Sequence, residues 1–258
     1  MIQRDSVLPD SPTTLAPPPI GLLDGASLFL DFDGTLVEVA ERPDAVAVDA
    51  RLQMLLHRLV ARLDGRVALI SGRPAGEVVA LFGEQIVTVV GSHGMEFRWA
   101  DGRAAPIDRP AGLDAVLGAM RRLAAERPGL LVEEKPLGIA LHFRQAPEAE
   151  AASQALAEAL AREHGLHLQP GKMMFEVRAP AGDKGTAVRT LMAEPELAST
   201  RPIFMGDDHT DEAGLAAAEA LGGAGILVGP PRPTAARYRL DDVEAVLAWL
   251  EAASGPAA

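Results

Sequence analysis

The stretch SLFLDFDGTL, residues 27–36, decides how the chain is read. Its apolar beginning reads as a buried strand, and the strand ends in Asp31 and Asp33 at alternate positions. Side chains at i and i+2 of an extended segment point to the same side. Two carboxylates held there repel each other, so the arrangement calls for a cation or for two separate chemical duties.

Working outward, strands and helices alternate. VDARLQMLLHRLVARL (48–63) has helical apolar spacing, and RVALIS (66–71) is a second strand. PAGEVVALFG (74–83) is a short helix opened by Pro74, and QIVTVVG (85–91) a third strand. Short apolar strands alternating with helices predict an α/β, doubly wound parallel sheet of Rossmann-like type.

The pattern then changes. MEFRWADGRAAPI (95–107) reads as a hairpin about an Asp-Gly turn, and GLDAVLGAMRRLAAE (112–126) as a helix. LLVEEKPLGIALHFR (130–144) reads as two strands, residues 147–164 as a helix, and LHLQPGKMMFEVRA (166–179) as a hairpin turning at Pro170-Gly171. This is an inserted α+β unit. The first pattern resumes with a helix from Lys184, strand RPIFMG (201–206), helix DEAGLAAAEAL (211–221), strand GAGILVG (223–229) and a last helix over 241–252. The expected organisation is a disordered tail over 1–24, a core domain over 25–104 and 181–258, and a cap domain over 105–180.

The 258 residues are 48% hydrophobic, enough for a sizeable core. Twenty-four basic against 36 acidic residues give a net charge of −12. Nucleic acid and anionic membrane surfaces, which are bound through clustered Lys and Arg, are therefore not expected partners. The absence of cysteine excludes disulfides and thiolate ligands and agrees with a cytoplasmic location. No apolar run approaches the roughly 18 residues that span a bilayer.

Ligands of open α/β sheets bind beyond the carboxyl ends of the strands. There the sequence places Asp31, Asp33 and Thr35 after the first strand, Ser71, Gly72 and Arg73 after the second, and Asp207, Asp208 and Asp211 after RPIFMG. Lys184 opens the helix that follows the insert. Mg²⁺ takes a few carboxylates together with waters and substrate phosphate, and Asp31, Asp207 and the Asp33 carbonyl offer such a shell. One aspartate can act as nucleophile while the other moves protons. Ser71, Gly72 and Lys184 can hold the transferring oxygens. Each motif also has a bland reading, as a turn, a loop or an acidic helix start.

DFDGT, SGR, DKG and GDDHTDE in this order resemble the haloacid dehalogenase superfamily of phosphotransferases. Together with GSHGMEFR (91–98), VEEKPLGIALHFR (132–144) and GKMMFEVRAPAGDKG (171–185), they resemble more narrowly the trehalose-6-phosphate phosphatase family. The resemblance implies a magnesium-dependent hydrolase with Asp31 as nucleophile and Asp33 as general acid and base. It implies Asp31, Asp33 and Asp207 as Mg²⁺ ligands, with Asp208 and Asp211 behind them. Thr35, Ser71, Gly72 and Lys184 would bind phosphate. Glu133, Lys135 and Glu176 would read the sugar, with Arg73 and Glu96 lining the cleft and His142 either a sugar contact or structural. A monomer acting on a small sugar phosphate is expected. The alternatives are a phosphatase for another sugar phosphate, of sucrose-phosphate or mannosyl-phosphoglycerate type, and a catalytically silent sensor.

Overall fold

The computed structural model describes residues 15–39, 46–83, 85–106, 108–180 and 182–255. Strand β1 (Ala26–Leu30) is buried throughout, as its apolar run predicts. It pairs in parallel with β9 (Arg201–Gly206), Phe29 opposite Phe204, and β9 pairs in parallel with β10 (Ala224–Val228). Among the described residues the central sheet has seven strands in the order β11-β10-β9-β1-β2-β3-β4, with β2 at Val67–Ile70, β3 at Thr88–Gly91, β4 at Glu96–Arg98 and β11 at Tyr238–Leu240. All the pairings resolved residue by residue are parallel except the one that adds β4 at the edge of β3. This agrees with the expected doubly wound core.

By packing, the described residues form two compact units: those up to Val67 with those from Val188, and those from Ala68 to Ala187. In the first unit, helix α1 (Ala50–Arg62) starts where the Asp49 carboxylate accepts the Leu52 amide, and it buries Leu52, Leu55, Leu56 and Leu59 at helical spacing. Helix α6 (Glu212–Ala220) packs on β9 and β10, and α7 (Val243–Ala253) is capped by Asp242.

The second unit contains helix α2 (Ala75–Phe82) and an antiparallel sheet of order β5-β6-β8-β7: Leu131–Lys135, Gly138–His142, Met174–Arg178 and His167–Gly171. Alternation sorts its faces. Ile139, Leu141, Phe175 and Val177 pack with Leu113, Val116 and Met120 of α3 (Leu113–Glu126) and Ala157 and Leu160 of α4 (Glu150–His164). Each large aliphatic side chain buried there contributes roughly 2 kcal/mol. The alternate positions, with Glu133, Ala140 and Glu176 in one cross-strand row, form the other face. Helix α5 (Lys184–Met192) leads back to the parallel strands.

Several expectations need correction. Residues 15–24 are not a disordered tail: Ile20–Leu23 form a 3-10 turn with Leu22 and Leu23 buried. The Ala16 carbonyl accepts the Arg239 amide and the Pro18 carbonyl the Trp249 indole N–H. Residues 1–14 of the expected tail lie outside the described residues. Pro170 and Gly171 are not a turn but the end of β7, which an edge strand allows because proline lacks only an outward N–H. The turn is Lys172–Met173, with Met173 at φ 61°. The helix expected from 147 begins as a separate 3-10 turn, Pro147–Ala149. Among the described residues no helix is long and apolar enough to cross a membrane.

Candidate active site

In the first unit the site grows from the ends of β1 and β9. Asp31 directly follows β1, its amide bonded to the Met205 carbonyl, and is 4% exposed. The chain then folds tightly: the Leu36 amide returns to the Phe32 carbonyl and the Gly34 amide to the Val37 carbonyl. Gly34 is needed twice over. Its φ of +90° suits glycine, and a Cβ there would lie 2.2 Å from an Asp207 carboxylate oxygen. Thr35 is fully buried, and its hydroxyl has no hydrogen-bond partner among the described residues.

Past β9, Asp208 caps a 3-10 turn at His209–Asp211, and Asp211 returns a carboxylate oxygen to the Asp208 amide at 3.0 Å. This reciprocal cap folds Asp211 back. One carboxylate oxygen each from Asp31, Asp207 and Asp211 lie within 4.8 Å of one another. The sequence led us to expect Asp211 behind the ligands, whereas its carboxylate joins the group. Three hard oxygen donors from two buried and one half-buried aspartate fit a small divalent cation, which would offset their mutual repulsion. Asp33 lies half-buried in the loop between Asp31 and Gly34.

In the second unit, Ser71 directly follows β2, is 1% exposed, and accepts the Arg73 amide at its hydroxyl. Lys184 is buried at the start of α5. Glu96 is buried and accepts the Ser92 hydroxyl, so its carboxylate braces the loop after β3. Lys135 and Glu176, both buried, form an ion pair at 2.9 Å. Burial opposes the charge on each, but each outweighs it for the other: Glu176 is held down at about 2, and Lys135 is raised, with Glu133 helping. Glu133 meets His142 at 2.8 Å. Burial pushes the Glu133 carboxyl up, yet His142 and Lys135 leave it below its ordinary value. The two acidic residues flanking Ala140 are thus both carboxylates at neutral pH.

A family model for trehalose-phosphatase matches residues 29–244. The chain belongs to the trehalose-phosphatase family. It is 38% identical over 213 residues to a probable trehalose-phosphate phosphatase of Sinorhizobium fredii, covering 82% of this chain and 80% of that one. To the trehalose-6-phosphate phosphatase of Escherichia coli K12 it is 36% identical over 225 residues, covering 86% and 84%. A crystal structure of a trehalose-6-phosphate phosphatase related protein superposes with a TM-score of 0.71 at 28% identity, covering 87% and 95%.

In the second unit of this trehalose-phosphatase family member, sequence reasoning passed over three residues. His93 sits in a turn after β3 with φ +57°, beside Ser92 at +47°. Its ring lies where a Cβ on Gly72 would come within 2.7 Å, and its Nε2 is 3.9 Å from Glu176. Burial, with the charges of Lys184 and Lys135, lowers its pKa against the pull of Glu176, which leaves the imidazole neutral at pH 7. Glu77 of α2 is raised by burial and by Glu133. Arg109 donates to the Lys135 and Pro136 carbonyls at 2.8 and 3.0 Å, pinning the β5–β6 turn. The signal for His93 was its place in GSHG at a strand end; the other two carry none.

Proposed function

We propose that this enzyme hydrolyses trehalose 6-phosphate to trehalose and inorganic phosphate, with Asp31 as nucleophile and Mg²⁺ as cofactor. The observation that carries the reading is the convergence of the Asp31, Asp207 and Asp211 carboxylates at the ends of β1 and β9. The substrate follows from relatives named as phosphatases of trehalose phosphate over most of their length. Asp31, Asp207 and Asp211, with the Asp33 carbonyl, would hold Mg²⁺, which when bound offsets the charge of the carboxylates and of a phosphate dianion.

Asp31 attacks phosphorus, and a P–O bond to its carboxylate forms as the bond to the sugar oxygen breaks. Asp33 gives that oxygen its proton. Asp33 then takes a proton from water, whose oxygen attacks phosphorus and releases the Asp31 carboxylate and phosphate. Thr35, Ser71, the Gly72 amide and the Lys184 ammonium hold the phosphoryl oxygens. Thr35 is suited by its buried hydroxyl, and Lys184 by its charge at a helix start. Glu133, Lys135 and Glu176 read sugar hydroxyls from the polar face of the cap sheet, and Arg73 lies beside the Ser71 cradle. Asp208 orients Asp211. All these groups come from one chain, so a monomer suffices, and a cysteine-free phosphatase of a water-soluble metabolite suits the cytoplasm.

The test is phosphate release from a panel of sugar phosphates with Mg²⁺ and with EDTA. Trehalose 6-phosphate should be hydrolysed fastest, and EDTA should silence the enzyme until Mg²⁺ is restored. Faster turnover of sucrose 6-phosphate would leave the chemistry standing and overturn the substrate. Full activity in chelator would remove the metal.

A further inference from the structure

Helix α6 carries a glutamate at each end, and each meets an arginine from the segment after β10. At the carboxyl end Glu219 pairs with Arg237 and accepts the Gly225 amide at 2.9 Å. At the amino end Glu212 pairs with Arg232 and accepts the Thr234 hydroxyl at 3.1 Å and the Ala235 amide at 2.9 Å. The two pairs differ in the rest of the guanidinium. The Nη2 of Arg232 donates to the carbonyls of Asp207 and Asp208, at 3.3 and 3.0 Å. Those are the first two residues past β9, and the first belongs to the carboxylate trio.

Two carbonyls held by one planar fork fix two successive peptide planes, and with them the direction in which Asp207 leaves the backbone. Glu212 fixes the fork in turn: each of its carboxylate oxygens has a protein donor, and the Arg232 side chain is only 16% exposed. On the other side of the same loop, Asp211 holds the Asp208 amide. We infer that Arg232, anchored by Glu212, is a positioning residue that sets the Asp207–Asp208 backbone so that the Asp207 carboxylate meets the divalent cation. The inference rests on the cation assignment made above.

Mg²⁺ affinity of the full-length protein, measured by calorimetry and by Mg²⁺-induced thermal stabilisation, separates this role from plain stability. Groups that orient metal ligands from behind typically count for 10- to 100-fold in affinity. Arg232→Met should therefore raise the Mg²⁺ dissociation constant on the order of 10-fold or more. Arg232→Lys, which keeps the charge and can keep the pair with Glu212, should fall in the same range because an ammonium has no fork. Arg237→Met removes a matched ion pair on the same helix; it should lower the melting temperature while leaving Mg²⁺ affinity within about twofold. Unchanged affinity in both Arg232 variants, or equal weakening in Arg237→Met, overturns the inference and leaves the cation assignment in place. A wild type that binds no Mg²⁺ overturns both.

Discussion

Replacing Lys135 by Met leaves Glu176 buried without its counter-ion. In the wild type Lys135 Nζ stands 2.9 Å from a carboxylate that is 3% exposed. A carboxylate held at about 2 instead of its ordinary 4.5 contributes stability above pH 4.5 and loses it as pH falls towards 2. That difference is about 3 kcal/mol at neutral pH, in line with the roughly 3–5 kcal/mol lost when one partner of a buried pair is removed. At about 2–4 °C per kcal/mol for a chain of this size, Lys135→Met should melt some 6–20 °C lower at pH 7. The sign of its pH dependence should also reverse. Without Lys135, Glu176 is a buried charge with no cation to offset it, so proton uptake by the site stabilises the variant as pH falls from 7 towards 5. The wild type gains nothing in that window, and the gap between the two melting curves should narrow. Uptake of a proton by His93, 3.9 Å away, acts in the same direction. The double variant Lys135→Met, Glu176→Gln should recover most of the loss, since no buried charge remains. Unfolding followed by circular dichroism at pH 7 and 5 reads all of this. A loss under about 1 kcal/mol at pH 7, the worth of an exposed ion pair, or a gap that does not change with pH, refutes the reasoning.

Asp31→Asn should abolish phosphate release without changing the melting temperature by more than a few degrees, while Asp33→Asn should slow it by a factor of roughly 10² to 10⁴; most of the activity surviving in Asp31→Asn would sink the covalent mechanism. Gly34→Ala drives a methyl group into the Asp207 carboxylate, 2.2 Å from its site, so kcat should fall at least ~10²-fold. A near-normal kcat in that variant would show that the close approach is immaterial.

The parallel core was legible because its strands are continuous apolar runs, and Asp31 and Asp207 because each stands just past the carboxyl end of one. The approach of Asp211 to Asp207 was not legible because it depends on a 3-10 turn of three residues, too short for any periodicity to announce. Strand β11 escaped for the same reason. Pro170-Gly171 misled because turn propensity says nothing about whether a strand lies at an edge. The segment from 15 to 24 read as disordered from its prolines, but Leu22 and Leu23 within it are core residues, and its bonds to Arg239 and Trp249 join positions more than 200 apart in sequence. His93 could not be assigned because its neighbours Lys135, Glu176 and Lys184 are brought to it only by the fold.

The turn at Ser92 and His93 carries two consecutive left-handed residues, a conformation costing about 1–2 kcal/mol at each non-glycine position. It is held by the Ser92 amide on the Arg73 carbonyl and the His93 amide on the Ser71 carbonyl. The loop that offers Ser71 is therefore stapled to its neighbour before any anion arrives. Its disorder was surrendered when the chain folded, so a phosphate bound there, as proposed, would have no loop to freeze and would not carry that entropic penalty.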